Sequence, residues 1–494
     1  MTPTRILAFL VAVLLLLAAI GALLPAGGLQ LAGLSIRLPG PREALFPVRE
    51  ERVDISDIIA LEADTAAVDT IAVSALEAEP ADTVAPPFAF DASKLAPLEE
   101  RIRLHFPPEG PAILHPFFAA LQGAASAKRP VRILHYGDSQ LEGDRITAYV
   151  RNKLQVQFGG QGPGLVAVAD IVPHFSVGRE LSAGWTRYSV MSKKPKEQGH
   201  DRFGALSAFA RFTPILPDSV APDSTERTAT ITLRPERRSY GKAQAWSVCR
   251  LFYGWHRAPL TLAMAADGAA LSSETVEPEA GLLVREWRFE SAPKEVTITI
   301  TGADSPDVFG ISLEGRNGVA MDNIAARGAA GYEFRRTDQG LLTAMYAELA
   351  PRLLILQYGG NVLPNLKSKE EAEQYGRFFG AQIARFKRMI PGVCVIVIGP
   401  SDMSVKDGAD YVTRPWLEEV RDAMKAHALA QGAAFWDMYE AMGGRNSMVS
   451  WVQADPPLAA DDYTHFSPQG ARKVGELFYT ALINEFAAYH KDLP

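Results

Sequence analysis

Val131-Arg-Ile-Leu-His-Tyr-Gly-Asp-Ser139 is the stretch that decides the fold. A run rich in β-branched and aromatic side chains ends at Gly137 and passes into a helix-compatible segment from Leu141 to Phe158. An apolar run of this length, closed by a glycine, reads as a buried strand feeding a helix. The same texture recurs downstream. Strand-like runs lie at 319–324, 352–358, 393–398 and 433–437, with helical patterns at 341–349, 369–389 and 411–431 and a last helix from about Ser467 to His490. Strands alternating with helices predict a parallel α/β sheet covered on both faces. Ligands of such sheets bind at the carboxyl ends of the strands.

One stretch breaks the alternation. Between about 171 and 318 the chain shows short β-rich runs at 229–233, 245–253, 260–264, 282–289 and 296–300. This spacing predicts an antiparallel sandwich inserted between the first and second strands of the α/β domain. A purely structural insertion and a carbohydrate-binding domain both remain open for it.

Working outward to the N-terminus, Ile6 to Leu24 is an apolar run without a charge, preceded by Arg5 and followed by no charge before Arg37. Its length matches a bilayer-spanning helix and exceeds a signal-peptide core of about 7–15 residues. The positive-inside rule places the bulk of the chain outside the cytoplasm. A cleaved signal peptide is the alternative, given the small residues at Pro25-Ala-Gly-Gly28; export follows from either. Residues 50–93 carry eleven acids against one base, Arg52, so the net charge of −7 belongs to an extended spacer that includes Pro86-Pro87. Helix within it is compatible with residues 54–79, which hold few breakers. The rest of the chain is nearly balanced and has no basic stripe, so nothing suggests a nucleic-acid partner and none is expected. The 47% apolar and 22% charged fractions are those of a globular protein. Two cysteines, Cys249 and Cys394, make no disulfide framework; Cys394 sits in a strand-like run and reads as core. The expected domains are an anchor at 1–30, an acidic linker at 31–105, an α/β domain at 106–170 and 319–494, and the β-rich insertion at 171–318.

Four short blocks carry the chemistry: Gly137-Asp138-Ser139-Gln140, Gly328 after Asn323-Ile-Ala-Ala-Arg, Gly359-Gly360-Asn361, and Asp462-Tyr-Thr-His465. They offer a nucleophile, oxyanion donors and an acid–base pair, the inventory for acyl transfer at a serine. Ser139 follows a strand at the start of a helix, whose N-terminus favours developing negative charge. Asp138 reads as a turn or capping residue. Among nine histidines, His465 is the expected base, because Asp462 three residues earlier can hold its tautomer. His135 belongs to the first strand and need not reach the rim. Asp461 or Asp462 as a helix cap is the competing reading, although Ser467-Pro468 fits a cap and first helical position better. One Asp–His pair falls short of a usual metal set, so no metal or organic cofactor is expected. The oxyanion donors are the N–H groups of Ser139 and Gly328 and the Asn361 amide. Gly331 competes with Gly328, and Asn361 after two glycines could equally be a left-handed turn residue.

These blocks, in this order, resemble the SGNH (GDSL) hydrolase superfamily over about 106–170 and 319–494. The resemblance implies a flavodoxin-like three-layer parallel sheet, with the nucleophile at Ser139, the oxyanion residues at Gly328 and Asn361, and the acid–base pair at Asp462 and His465. Many members have Gly-x-Asn-Asp in the third block, where this chain has Val362 after the Asn. The absence of Gly-x-Ser-x-Gly around Ser139 argues against the α/β-hydrolase fold. An N-terminal membrane segment, a β insertion after the first block, and Trp436-Asp-Met-Tyr-Glu-Ala-Met-Gly-Gly444 look like the bacterial peptidoglycan O-acetylesterases. That likeness implies removal of acetyl groups from cell-wall glycan in the periplasm. The expectation is therefore a membrane-tethered, exported serine esterase acting on an acetylated polysaccharide. An O-acyltransferase, a lipase or thioesterase, and a glycan-binding protein with a vestigial site are the rivals.

Overall fold

The computed structural model describes residues 2–23, 29–31, 34–36, 53–60, 90–95, 98–217, 219–408 and 410–492. Most of the acidic spacer, Pro86-Pro87 and the helix-compatible residues 61–79 included, lies outside the described residues. Two ends of that spacer are docked. Ile55 and Ile58 are buried against the α/β core, Ser450 Oγ donates to Val53 O at 2.7 Å, and Ile102 and Leu104 are buried nearby. The N-terminal apolar segment is helical over Pro3–Leu23. Among the described residues no helix is long and apolar enough to cross a membrane, the side chains at 18 and 21–23 lying outside the description.

Five parallel strands form the central sheet: β1 (Val131–Gly137), β2 (Val319–Ala325), β3 (Pro351–Gln357), β4 (Cys394–Ile398) and β5 (Ala434–Trp436). Their order is β2-β1-β3-β4-β5, and Leu104–His105 pairs antiparallel along the outer edge of β5. This 2-1-3-4-5 order is flavodoxin-like and reverses beside β1, where ligands of such sheets bind. Successive side chains of each strand face opposite layers. Leu134, Tyr136, Leu354, Leu356, Val395 and Val397 pack under α2 (Gln339–Leu349), α3 (Lys369–Met389) and α4 (Leu417–Ala430). Val131, Ile133, Leu353, Ile355 and Ile396 pack against α1 (Thr147–Phe158) and α5 (Pro468–Lys491) on the other face. The helix ends are set locally. Ser368 accepts from Glu371 N at α3, whose last turn carries Lys387 and Arg388. Ser467 accepts from Gly470 N at 3.1 Å with Pro468 in the first turn of α5. Because Ser467 caps α5, Asp462 is left for other work.

Between α1 and β2 the chain builds two antiparallel sheets around one core of Ile231, Leu233, Ile298 and Ile300 against Leu251, Ile311 and Leu313. The strand Val248–His256 is buried on both faces: Leu251 and Tyr253 enter this core, while Phe252 joins the α/β core. A buried polar cluster ties the two units. Arg132 on β1 donates to both Asp322 oxygens at 2.7 Å and to Glu314, and Asp322 also accepts from Leu165 N at 2.8 Å. Burial works against the Arg132 charge, and the two carboxylates outweigh it.

Several local expectations are revised. The helix expected from Leu141 is broken: Ser139–Asp144 is 3₁₀-like but kinked, with Glu142 extended and Gly143 and Asp144 at φ of 70° and 67°, and α1 begins at Thr147. Asp144 is drawn inward by Arg151 and Ser176, which holds the kink. The helix expected over 411–431 starts only at Leu417, because Asp410–Thr413 pairs with Ser404–Asp407 as a hairpin. Pro415 disfavours helix at the residue before it. Strands at Thr186–Ser189, Ala208–Arg211, Ala269–Val276 and Asp307–Glu314 add to those read from the sequence.

Candidate active site

The carboxyl ends of β1, β2 and β3 converge on one cleft of about 440 Å³. β1 delivers Asp138 and Ser139, the loop after β2 delivers Arg327 and Gly328, and the turn after β3 delivers Gly360 and Asn361. Thr464 and His465 come from the loop before α5, and Pro400, Met403 and Met438 close the far wall.

Ser139 Oγ and His465 Nε2 are 2.8 Å apart. On the other side of the ring, Nδ1 lies 2.7 Å from Asp462 Oδ2. A carboxylate only accepts, so Nδ1 carries the proton and Nε2 presents its lone pair to the serine hydroxyl. Asp462 is itself fixed by the backbone: its Oδ1 accepts from Thr464 N at 3.0 Å and His465 N at 2.9 Å. Burial pushes this carboxyl up, but the bonds from His465 and Thr464 outweigh it and hold it below its ordinary range. The loop is braced from outside. Tyr463, at φ 54°, stacks on Tyr411 of the hairpin with ring centroids 3.6 Å apart, and Ser404 N donates to Tyr463 O at 2.9 Å.

Two side chains missed in the sequence join the nucleophile to this loop. Gln140 Nε2 donates to Thr464 O at 2.7 Å and Gln140 Oε1 accepts from Phe466 N at 3.3 Å, so one amide grips the backbone on both sides of His465. Arg145 donates to Ser139 O at 2.5 Å and to Phe466 O at 3.3 Å. Only the position of Gln140 next to Ser139 hinted at this; its partners are more than three hundred residues away.

The oxyanion candidates separate clearly. Gly328 and Gly331 both have positive φ, 76° and 83°, but a Cβ on Gly331 would pack against Phe379, whereas one on Gly328, which lines the cleft, would meet nothing within 4 Å. Among the described residues neither Ser139 N nor Gly328 N has an intramolecular acceptor. Asn361 Nδ2 also lines the cleft, and both of its hydrogens are engaged, with Asp138 Oδ2 at 2.9 Å and Ala329 O at 3.0 Å. Serving an oxyanion requires it to release one. The preceding turn needs glycine: Gly359 has φ 116°, and a Cβ there would meet Met424 Sδ at 2.9 Å.

Asp138 caps the nucleophile turn, accepting from Gln140 N at 2.9 Å. Burial pushes its carboxyl up to about 6, against the bonds from Gln140 and Asn361 and the nearby His465. The helical segment behind Ser139 is short and broken at Glu142 and Gly143, so oriented N–H groups, not a long macrodipole, face the cleft. His135 is fully buried between Gln357 Oε1 at 3.1 Å and Thr147 Oγ1 at 3.0 Å, and burial depresses it to about 4. It cannot reach Ser139. The geometry as a whole suits attack of a hydroxyl on an acyl carbon, with proton transfer to Nε2 and donors gathered for the oxyanion.

Residues 296–473 match the GDSL-like Lipase/Acylhydrolase family, a segment that holds Gly328, Asn361, Asp462 and His465 but begins after Ser139 because the insertion intervenes. A solved peptidoglycan O-acetylesterase has a TM-score of 0.59 at 21% identity, over 76% of this chain and 96% of that one, which shows a shared fold. A putative GDSL-like lipase from Parabacteroides merdae aligns at 15% identity over 33% of this chain and 72% of its own, with a TM-score of 0.26. A family two carbohydrate esterase from Clostridium thermocellum aligns at 9% identity over 55% and 97%, with a TM-score of 0.25. Scores that low add nothing to the assignment. No curated relative matches the chain in sequence. The chain therefore carries an SGNH (GDSL-type) hydrolase domain, resembles peptidoglycan O-acetylesterases in fold, and is an enzyme of the serine esterase class.

Proposed function

We propose that this protein is an exported, membrane-tethered esterase that removes O-acetyl groups from a polysaccharide, peptidoglycan first among them. The observation that carries the reading is the Ser139–His465–Asp462 relay, with 2.8 Å and 2.7 Å contacts, opening onto a cleft with Gly328 and Asn361. His465 Nε2 takes the Ser139 proton as Oγ attacks the acetyl carbonyl. The oxyanion is met by the N–H groups of Ser139 and Gly328 and by the Asn361 amide. Collapse breaks the bond to the sugar oxygen, which receives the proton from His465. Water, deprotonated by the same nitrogen, then attacks the acetyl-serine and releases acetate. Pro400, Met403 and Met438 give the cleft an apolar wall, which suits the methyl of an acetyl group. The peptidoglycan substrate of the solved relative supports the choice of glycan. Tethering is supported by the charge-free run from Ile6 to Leu24 behind Arg5.

The test is acetate release by the purified protein and by Ser139→Ala on O-acetylated peptidoglycan and on other acetylated polysaccharides, with no acceptor added. Release abolished in Ser139→Ala and greatest on peptidoglycan is the expected result. Release that needs an added acceptor would make the protein a transferase. Preference for long-chain over acetyl p-nitrophenyl esters would remove the glycan reading.

A further inference from the structure

The catalytic cleft does not end at Arg327. Arg327 donates to Glu142 through Nε and Nη2, at 2.9 Å and 2.6 Å, and this ion pair forms a ridge. Glu142 and Arg327 line the cleft on one side and a second groove of about 220 Å³ on the other. The second groove lies between the α/β domain and the inserted sheets, with Asn323 to Ala326 on one wall and Val166, Arg187 and Met191 on the other. Ile171 and Met191, 59% and 40% exposed, add apolar surface to it.

The charges in this groove are paired with one exception. Glu142 is held by Arg327, Asp170 is held by Arg179 at 3.0 Å, and His174 Nδ1 accepts from Ser176 N at 3.2 Å. The side chain of Arg187, on the edge strand Thr186–Ser189, has no hydrogen bond or ion pair among the described residues, and its Nε is buried without a partner. Burial depresses it, with the fields of Asp170 and Glu142 only partly opposing. A half-buried guanidinium held without a counter-ion beside a reaction cleft is poised for an anion. Its planar fork matches a carboxylate. The two acids nearby disfavour a doubly charged phosphate.

We propose that the groove between the inserted sheets and the α/β domain is a glycan subsite in which Arg187 binds a carboxylate carried by the saccharide chain whose ester lies at Ser139. This rests on the esterase reading and narrows its substrate to acidic amino-sugar glycans. The insertion then takes part in substrate selection.

The experiment is calorimetric titration of the wild-type protein and Arg187→Gln with the disaccharide N-acetylglucosaminyl-N-acetylmuramic acid free of O-acetyl groups, with its methyl ester, and with the same disaccharide bearing a short peptide on the lactyl group. None of the ligands carries an O-acetyl group, and the methyl ester is recovered and checked for hydrolysis after titration, so binding is read separately from esterase activity. Wild type should bind the acid about tenfold more tightly than the ester, and Arg187→Gln should bind the two alike. Tight binding of the peptide form, lost in Arg187→Gln, would assign the carboxylate to the peptide and still support the site. Equal affinity for acid and ester in wild type, a preference that survives Arg187→Gln, or no binding of any ligand would each overturn it. Arg187→Lys, which keeps charge without the fork, should retain part of the preference and serves if the Gln variant misfolds. Failure of wild type to release acetate from any acetylated glycan would sink the esterase reading and leave this measurement standing.

Discussion

Gln140→Ala tests how the nucleophile and its base are kept in register. The Gln140 side chain is 7% exposed, and its amide holds Thr464 O at 2.7 Å and Phe466 N at 3.3 Å. Truncation leaves a buried N–H at Phe466 unpaired, while Thr464 is only half-buried and its carbonyl can take water. An unmade buried bond costs about 1–3 kcal/mol; the 3.3 Å contact is long and belongs at the lower end. The expected loss of stability is thus about 1–2 kcal/mol, a few degrees in Tm. The larger effect is on rate. Asp462 and His465 stay joined by their own bonds and move together, so what loosens is the 2.8 Å contact from Nε2 to Ser139. A displacement of about 1 Å at a reacting pair costs about 10²-fold. Steady-state hydrolysis of p-nitrophenyl acetate should show kcat down by about 10- to 100-fold with KM changed little. Gln140→Glu adds a pH signature: ionised, it faces the Thr464 carbonyl with an acceptor; protonated, it can donate again. Its activity relative to wild type should rise as pH falls. A kcat for Gln140→Ala within twofold of wild type alongside a lowered Tm would refute the reasoning. The Tyr411 stack and the Ser404 bond would then suffice to place His465.

Asn361→Ala should lower kcat by about 10²–10³ with little change in KM, as loss of one oxyanion donor does, and steady-state kinetics on an acetyl ester reads it. Asp138→Asn should change the pH dependence of stability. With the Asp138 carboxyl pushed from 3.8 up to about 6 by burial, the stability it lends is fully present below about pH 4 and is lost as pH rises through about 6. The difference between wild type and variant in denaturant unfolding should therefore shrink by up to about 3 kcal/mol over that interval, and a flat difference would remove the assignment.

What could be read in the sequence was what neighbours in sequence decide. β1 declared itself because a strand buried on both faces needs no alternation, only an apolar run and a turn glycine. Asp462 and His465 were legible as a pair because three residues of one loop bring ring and carboxylate to 2.7 Å. Ser467-Pro468 announced the cap of α5, which kept Asp462 from being taken for one. Gly328 and Gly331 could not be told apart, since both need positive φ and only the packing of Phe379 from α3 separates them. Gln140 was quoted but given no role, for its partners lie across the whole second half of the chain.

The strand Asp307–Glu314 shows why the remainder was hidden. It carries Gly310, Ser312 and Glu314, which spoil an apolar pattern, yet all eight residues are buried. Glu314 and Ser312 are satisfied by Arg132, a β1 residue more than 170 positions earlier, and Arg132 in turn needs Asp322 on β2. Each of these polar groups looks misplaced alone and is accounted for only when the inserted sheets lie against the parallel one. The same arrangement bears on the site. β2 ends at the Arg327–Gly328 loop, and its start is fixed to the insertion through Asp322 and Leu165. The insertion is therefore built into the strand that positions Gly328, and Arg187 on its edge strand faces a groove sharing Arg327 with the reaction cleft. A domain appended only for binding would need none of those buried bonds.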